Sequence, residues 1–249
     1  MNSFEKLFVK KKPILAMIHL KGENRNAKLE RAKLEIGQYY QAGVDAVIIE
    51  DYFAAPGIKG VLEEVLAYLH KEYPANIYGV NVLDNFHRSY ELAALYGAKF
   101  LQVDSAAGQL PSYLDVPYGK MIQAYREAGE VLIFGGVRFK YQPVLSGRSI
   151  KEDLEIAKAR CDAIVVTGPG TGIDTDQSKL LEFKQLLGDF AMLVGAGVTI
   201  DTVRDKLAVA DGAIVGSAFK DTGKDSGDVD PKRVLDFMKI VQEIREAES

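Results

Sequence analysis

The chain has 249 residues, of which 47% are hydrophobic and 27% are charged. This composition is typical of a globular protein and excludes disordered, collagen-like and disulfide-rich chains. The 31 basic residues are outnumbered by 35 acidic ones and are scattered along the chain, so they form no basic patch. Nucleic acid is therefore not an expected partner.

Cysteine usage and the lack of long apolar runs indicate the cellular compartment. The only cysteine, Cys161, cannot form a disulfide within the chain and fits a reducing environment. No apolar run approaches the roughly 18 residues of a membrane span, and the first residues lack the apolar core of a signal peptide. We therefore expect a cytoplasmic protein with no membrane partner.

Eight short apolar runs, rich in β-branched residues, alternate with helical patterns along the chain. The runs cover residues 13–19, 45–50, 77–82, 100–104, 131–137, 162–167, 191–195 and 212–216. Their nearly continuous apolar character favours a parallel sheet covered on both faces. Eight strand–helix units in 249 residues predict an α/β fold, a (βα)8 TIM barrel, as a single domain over residues 1–249. A doubly wound open sheet is the alternative.

Capping residues mark the ends of several predicted helices. Ser149 and Glu152 form a capping box before the sixth strand, and Asp230 followed by proline opens the last helix. Thr199 is the predicted cap of the helix after the seventh strand. Gly97 is the predicted C-terminal glycine of the helix before the fourth strand. These signals agree with the strand–helix alternation.

The carboxyl ends of barrel strands carry the active sites of such proteins, so polar residues at these ends are the catalytic candidates. Glu50 and Asp104 close the second and fourth strands, and two carboxylates held close together would provide one acid and one base. His19 ends the first strand and is either a general acid or base or a core histidine bound to a carbonyl. Lys140 follows the fifth strand and is a candidate for stabilising an enolate, with Schiff-base chemistry as an alternative.

Two glycine clusters after the last strands predict a phosphate site. Gly195 and Gly197 follow the seventh strand, and Gly216 and Ser217 follow the eighth. Glycine lets backbone N–H groups approach an anion, and a short helix starting near Ser217 would add its amides. The alternative is that these glycines only permit tight turns.

A third cluster contains Gly168 and Gly170 after the sixth strand, and we predict that it lies beside the phosphate. A flexible turn is the alternative. Its glycine spacing is not the dinucleotide fingerprint, and Gly223-Lys224 is followed by Asp225 rather than by the serine or threonine of a Walker A loop. We therefore expect neither NAD nor ATP as a cofactor.

No metal site is predicted, because the chain lacks the histidine and cysteine spacings of zinc proteins. The sequence leaves open a magnesium ion held by Glu50, Asp51 or Asp104 together with a substrate phosphate. We expect no resident cofactor.

Several segments resemble the BtpA/SgcQ family. The specific ones are residues 162–172, Val194-Gly195-Ala196-Gly197-Val198-Thr199 and residues 210–220, with matching pieces at 17–20, 43–50 and 79–83. The resemblance covers nearly the whole chain and implies a phosphate-binding type of TIM barrel. The cyanobacterial branch of this family is associated with photosystem I accumulation, and the SgcQ branch with sugar-phosphotransferase genes.

Together, these observations predict an enzyme that acts on a small phosphorylated metabolite, with a sugar phosphate as the first expectation, by isomerase, epimerase or lyase chemistry. The competing hypothesis is a non-catalytic assembly or stability factor of the BtpA type. Residues 110–114 would serve as its apolar contact surface, or as a lid over the site in the enzyme. Barrels of this size often self-associate, so a homo-oligomer remains open.

Overall fold

The protein is a closed barrel of eight parallel strands in sequential order, with β1 hydrogen-bonded to β8. The computed structural model describes residues 2–53, 60–129 and 131–248. The strands are β1 Ile14–His19, β2 Ala46–Glu50, β3 Ile77–Asn81, β4 Phe100–Ala107, β5 Leu132–Val137, β6 Ala163–Thr167, β7 Met192–Gly195 and β8 Gly212–Val215. The TIM-barrel class predicted from the sequence is confirmed.

A helix precedes the barrel, and further helices follow each strand. The helices are α1 Ser3–Leu7, α2 Arg25–Gln41, α3 Val61–Glu72, α4 Phe86–Tyr96, α5 Ser112–Ala128, α6 Ile150–Arg160, α7 Gln177–Leu187, α8 Val203–Val209 and α9 Pro231–Ala247. A single 3-10 turn, Ser217–Phe219, lies between β8 and α9. In the described part of the chain, no helix is long and apolar enough to cross a bilayer.

Two apolar layers form the core, because almost every strand residue is buried. One layer lies between the strands and the surrounding helices, and the other fills the barrel interior. The interior contains Phe100 and Phe134, whose rings stack with centroids 4.5 Å apart. Gly79 leaves space for Phe100, since a Cβ atom there would lie 2.3 Å from the ring. The barrel is thus a filled core, and its polar chemistry is confined to one end.

The short helix α1 closes the amino-terminal end of the barrel. Its Phe4 ring lies 5.7 Å from the Phe134 ring, and the Phe8 ring lies 6.4 Å from the Phe100 ring. The sequence analysis did not anticipate this contact. Solvent therefore reaches the barrel through its carboxyl-terminal mouth.

The predicted strands match the observed ones to within a few residues, except at β4. This strand continues to Ala107, with a register irregularity against β5 between Val103 and Ala107. The capping box at Ser149 is present, but the predicted cap at Thr199 is wrong. Helix α8 begins only at Val203, because residues 199–202 form a turn first.

Candidate active site at the mouth of the barrel

A cavity of about 540 Å³ lies at the carboxyl ends of the strands. Its walls carry four residues that the sequence singled out for catalysis: His19, Glu50, Asp104 and Lys140. They come from β1, β2, β4 and the segment after β5, so the barrel closure brings together residues that are far apart in sequence. A site with acidic, basic and neutral polar groups results.

Glu50 and Asp104 are joined through one side-chain amide. Asn81, at the end of the intervening strand β3, donates from Nδ2 to Glu50 Oε1 at 2.8 Å and to Asp104 Oδ1 at 3.3 Å. The register of β2 with β3 places Glu50 directly beside Asn81. The two carboxyl groups are thus held close together on one side of the mouth rather than facing each other across it.

The Glu50 carboxyl group is perturbed by its surroundings. Burial and the negative charge of Asp104 together raise its pKa to about 8, although Lys140 and the Asn81 hydrogen bond oppose the rise. Burial also raises the pKa of Asp104, while hydrogen bonds from Asn81 and Gln102 and the charge of Lys140 act against this shift. At neutral pH, Glu50 therefore carries a proton and is suited to act as an acid.

His19 lies beside Glu50, with its Nε2 atom 3.4 Å from Glu50 Oε2. Burial lowers the pKa of His19 to about 4, and the charges of Lys220 and Lys140 contribute to the lowering, while Asp225 opposes it. The imidazole is therefore neutral at physiological pH. Its position on the cavity wall favours the acid–base interpretation over that of a core histidine.

Arg138 and Lys140 follow β5 but point to different partners. Lys140 Nζ donates to Thr171 Oγ1 at 3.0 Å and lies on the cavity wall. Arg138 adopts a positive φ of 48° and donates to Asp153 Oδ2 at 3.2 Å, so its role is structural. Only the lysine is available to a ligand.

The glycine loops after β7 and β8 form another part of the wall. Gly195, Gly197, Gly216 and Ser217 all line the cavity. Gly216 lies against His19, since a Cβ atom there would be 3.6 Å from His19 Cε1. The predicted helix near Ser217 is one 3-10 turn, whose first hydrogen bond runs from the Phe219 N–H to the Gly216 carbonyl. This turn is too short for a helix dipole.

Gly197 has a packing role that the sequence did not show. Its φ is 71°, and an added Cβ atom would lie 2.4 Å from Asp174 Cα and from the Ile173 carbonyl oxygen. A bulky side chain there would displace the loop after β6.

The loop after β6 crosses beside this region. Gly168 and Gly170 do not line the cavity, and a Cβ atom on Gly168 would meet the Asp174 carbonyl oxygen at 2.5 Å. Gly172 lies on the wall instead, and its Cβ position is 3.2 Å from Ser217 Oγ. The loops after β6, β7 and β8 therefore meet near Ser217.

Several residues in or beside the cavity were not assigned a role from the sequence. Asn81 bridges the carboxyl groups, Tyr52 stacks near His19 with ring centroids 5.0 Å apart, and Thr171 receives the Lys140 hydrogen bond. Arg233, on α9, adds a cation to the wall. Asn81 ends a predicted strand, and this position was the only signal that could have identified it.

No group of three or more metal-ligating side chains occurs within residues 2–53, 60–129 and 131–248. Asp51 does not line the cavity, and its Oδ1 accepts a hydrogen bond from the Leu83 N–H at 2.9 Å. Strand alternation turns it away from Glu50. Asp51 therefore holds the segment after β3 in place.

The architecture and the site define a single-domain parallel (βα)8 barrel with a carboxyl pair and glycine loops at its mouth. The BtpA family model matches residues 10–243. The chain belongs to the BtpA family.

Two relatives align with nearly the full chain. It is 29% identical to the putative sgc region protein SgcQ of Escherichia coli, with 94% of this chain and 96% of that protein covered. It is 25% identical to the photosystem I biogenesis protein BtpA of Synechocystis, with 93% and 88% covered. Phosphoribosyl anthranilate isomerase from Thermus thermophilus has the same fold, with a TM-score of 0.62, 12% identity and 93% and 99% covered.

Proposed function

We propose that the protein is an enzyme that moves protons on a small phosphorylated metabolite, with a sugar phosphate as the first candidate. The observation that carries the proposal is the Asn81-bridged pair of Glu50 and Asp104, which shares one cavity with the glycine loops after β7 and β8. The similarity in fold to an isomerase of a phosphoribosyl compound agrees with this proposal.

Asp104, Glu50, Lys140 and His19 would each have a separate role in an isomerase, epimerase or lyase reaction. Asp104 is the base that removes a proton from carbon, and its ionised form is favoured by Asn81, Lys140 and Gln102. Protonated Glu50 is the acid that donates to the substrate oxygen. Lys140 and neutral His19 stabilise the negative charge that develops on that oxygen.

The phosphate group would lie between Gly195, Gly197, Gly216 and Ser217. Backbone amides and the Ser217 hydroxyl are the donors in this interpretation, and Arg233 supplies a positive charge nearby. Gly168 and Gly170 would support the loop rather than contact the anion. The short separation of Gly216 from His19 would place the substrate carbon near the phosphate over the acid–base groups.

The test combines ligand binding with hydrogen exchange. A panel of sugar phosphates is screened by thermal unfolding, since a ligand at a hundredfold over its Kd adds about 2.7 kcal/mol of stability. Each hit is then incubated in D2O, and deuterium incorporation at carbon is followed by NMR. We expect Glu50→Gln and Asp104→Asn to slow incorporation by roughly a hundredfold or more.

Asp51→Asn is the matched control, because Asp51 neighbours Glu50 but lies off the cavity and keeps its acceptor oxygen after the change. It should leave the exchange rate unchanged. If no phosphorylated compound stabilises the protein, or if exchange persists in both catalytic variants, the proposal is wrong.

A second candidate function is a partner-binding assembly factor, and exposed apolar residues favour it. Tyr113 and Leu114 are on the first turn of α5, while Val144 and Leu145 are in the segment after β5. The Leu145 N–H donates to the Gly108 carbonyl and ties the two segments together. Point substitutions test this function better than a deletion of residues 110–114, because α5 begins at Ser112 and the deletion would remove its first turn. Tyr113→Ser with Val144→Ser should abolish partner capture without affecting ligand binding if this function is correct.

A further inference from the structure

A second cavity of about 250 Å³ adjoins the main one on the β3–β4 side of the mouth. We call it the side cavity, and it lies between residues 81–86 and 102–110. It shares Asp84, Gln102, Asp104 and Gln142 with the main cavity. The glycine loops after β7 and β8 lie elsewhere around the barrel, because strands 3 and 4 are not neighbours of strands 7 and 8. A ligand bound at the glycine loops has a route past the acid–base groups into the side cavity.

Three residues that line the side cavity each carry a buried polar atom with no hydrogen-bond partner among the described residues. The atoms are Gln102 Oε1, Ser105 Oγ and Gln109 Oε1. All three residues are more than nine-tenths buried, with 5%, 6% and 9% of their surface exposed. Unpaired polar atoms are rare in protein interiors, because their desolvation is not compensated. Such a group is typical of a place where a polar ligand binds.

Neighbouring acceptors fix the direction of both amides. Gln109 Nε2 donates to the Ser105 carbonyl oxygen at 3.1 Å. The hydrogen bond between the Gln102 and Asp104 side chains lowers the Asp104 pKa, so it stabilises the ionised carboxylate. A carboxylate only accepts hydrogen bonds, so the NH2 group of Gln102 is the donor. Each amide therefore leaves its oxygen as an unused acceptor.

The charges around the side cavity exclude an anion. Asp84 and Asp104 are on its walls, and none of the described wall residues is lysine or arginine. The main cavity shares these two carboxylates, but Lys140 and Arg233 also supply positive charge there. The two cavities therefore differ in the ligand group that they suit: an anion at the glycine loops and a hydrogen-bond donor in the side cavity.

We propose that the side cavity binds the end of the substrate farthest from its phosphate, and that this end carries hydrogen-bond donors such as an ammonium, amide or hydroxyl group. This inference rests on the proposed function, because the phosphate fixes which end of the ligand enters the side cavity. It narrows the substrate class to phosphorylated metabolites with a donor-rich second end.

Matched probes test this inference directly. Aminoalkyl phosphates from propyl to octyl are compared by calorimetry with alkyl phosphates of the same length, and inorganic phosphate serves as the reference. An ammonium group donates three hydrogen bonds and accepts none. We expect the best aminoalkyl phosphate to bind about tenfold more tightly than its alkyl counterpart.

Variants of the side cavity should remove this preference. Gln109→Leu and Ser105→Ala take away acceptors with little change in volume, and both should bind the paired probes equally while inorganic phosphate binding stays unchanged. Gln177→Leu is the matched control, because the Gln177 Oε1 is also buried and unpaired but belongs to α7, outside both cavities. Its preference should equal that of the parent protein.

The outcomes separate this inference from the proposed function. If alkyl and aminoalkyl phosphates bind the parent equally, or if the preference survives in Gln109→Leu and Ser105→Ala, the side cavity holds only solvent and the inference is wrong. Loss of all phosphate binding, inorganic phosphate included, would overturn the proposed function and this inference with it.

Discussion

Glu50 shows how one residue acquires chemistry from its neighbours. In isolation a glutamate is ionised at neutral pH, but burial beside Asp104 raises the Glu50 pKa to about 8. His19 changes in the opposite sense, because burial beside Lys220 and Lys140 lowers its pKa to about 4. The two groups are therefore neutral together at physiological pH, so Glu50 holds a proton and the pair buries no charge in this state.

Stability should depend on pH through Glu50. The folded-state pKa lies above the unfolded-state value of about 4.3, so the stability due to this group is complete below pH 4 and is lost as pH rises toward 8. The loss approaches roughly 5 kcal/mol, since the two values differ by about 3.7 pKa units and each unit corresponds to about 1.4 kcal/mol. Glu50→Gln keeps an acceptor for Asn81 but cannot ionise.

Urea unfolding of the parent and of Glu50→Gln at pH 5, 6.5 and 8 measures this contribution. The parent should lose more stability than the variant between pH 5 and pH 8. His19 acts in the other direction, since its lowered pKa costs stability as pH falls from about 6.5 to 4, and it does so in both proteins. Parallel curves for the two proteins would contradict a raised Glu50 pKa.

At the scale of elements, the loops after β6, β7 and β8 act as one unit. Lys206 of α8 holds the β6 loop by donating to Asp174 Oδ2 at 3.0 Å and to the Thr175 carbonyl. Lys220 after β8 forms a buried ion pair with Glu35 of α2 at 3.0 Å. These lysines belong to the scaffold, and they fix the loops whose glycines line the cavity.

Gly197 and Gly216 should respond differently to substitution. Gly197→Val places a β-branched residue at a positive φ and against backbone atoms 2.4 Å away, so we expect a loss of more than about 2 kcal/mol of stability. Gly216→Ala adds a Cβ at ordinary contact distances of 3.5–3.6 Å from Met17 and His19 and should be tolerated.

Thermal unfolding without ligand and phosphate binding by calorimetry distinguish the two roles. Gly216→Ala should keep the melting temperature but weaken phosphate binding, because the new methyl group faces the cavity. If Gly216→Ala is as stable as the parent and binds phosphate as tightly, Gly197 and Gly216 serve only as turn residues.

At the scale of the whole molecule, the chain ends are joined where the barrel closes. Arg245, near the end of α9, donates to the Lys11 and Lys12 carbonyls and to the carboxylate of Asp45. Asp45 also accepts a hydrogen bond from the Ile14 N–H at 2.8 Å. One buried contact therefore fixes the last helix, the first strand and the start of the second strand together.

Removal of this contact should destabilise the barrel strongly. Arg245→Met leaves the buried Asp45 carboxylate without its cation, and we expect a loss of roughly 3 kcal/mol. Arg204→Met is the control, because Arg204 also pairs with α9, through Glu243, but both partners are more than half exposed and the cost should stay below about 1 kcal/mol. Equal denaturation midpoints for the two variants would contradict this role for Arg245.

The sequence by itself determined the barrel, because its signals are local. Continuous apolar runs, capping residues such as Ser149 and helix-end glycines such as Gly97 each depend on a few neighbouring residues, and eight repeats of them leave few alternative folds. The strand-end rule also singled out His19 and Glu50, which end β1 and β2, whereas Asp104 lies within β4 at its register irregularity and not at the strand end.

The arrangement and protonation of these residues depend on the tertiary structure. The Asn81 bridge, the opposite pKa shifts of Glu50 and His19 and the separation of Lys140 from Arg138 all depend on groups from different strands meeting at one point. Likewise, Gly197 has the same local appearance as Gly216, yet it contacts the backbone of another loop, the one after β6. Burial, charge proximity and close packing are set by distances through space, and those distances exist only once the barrel has closed.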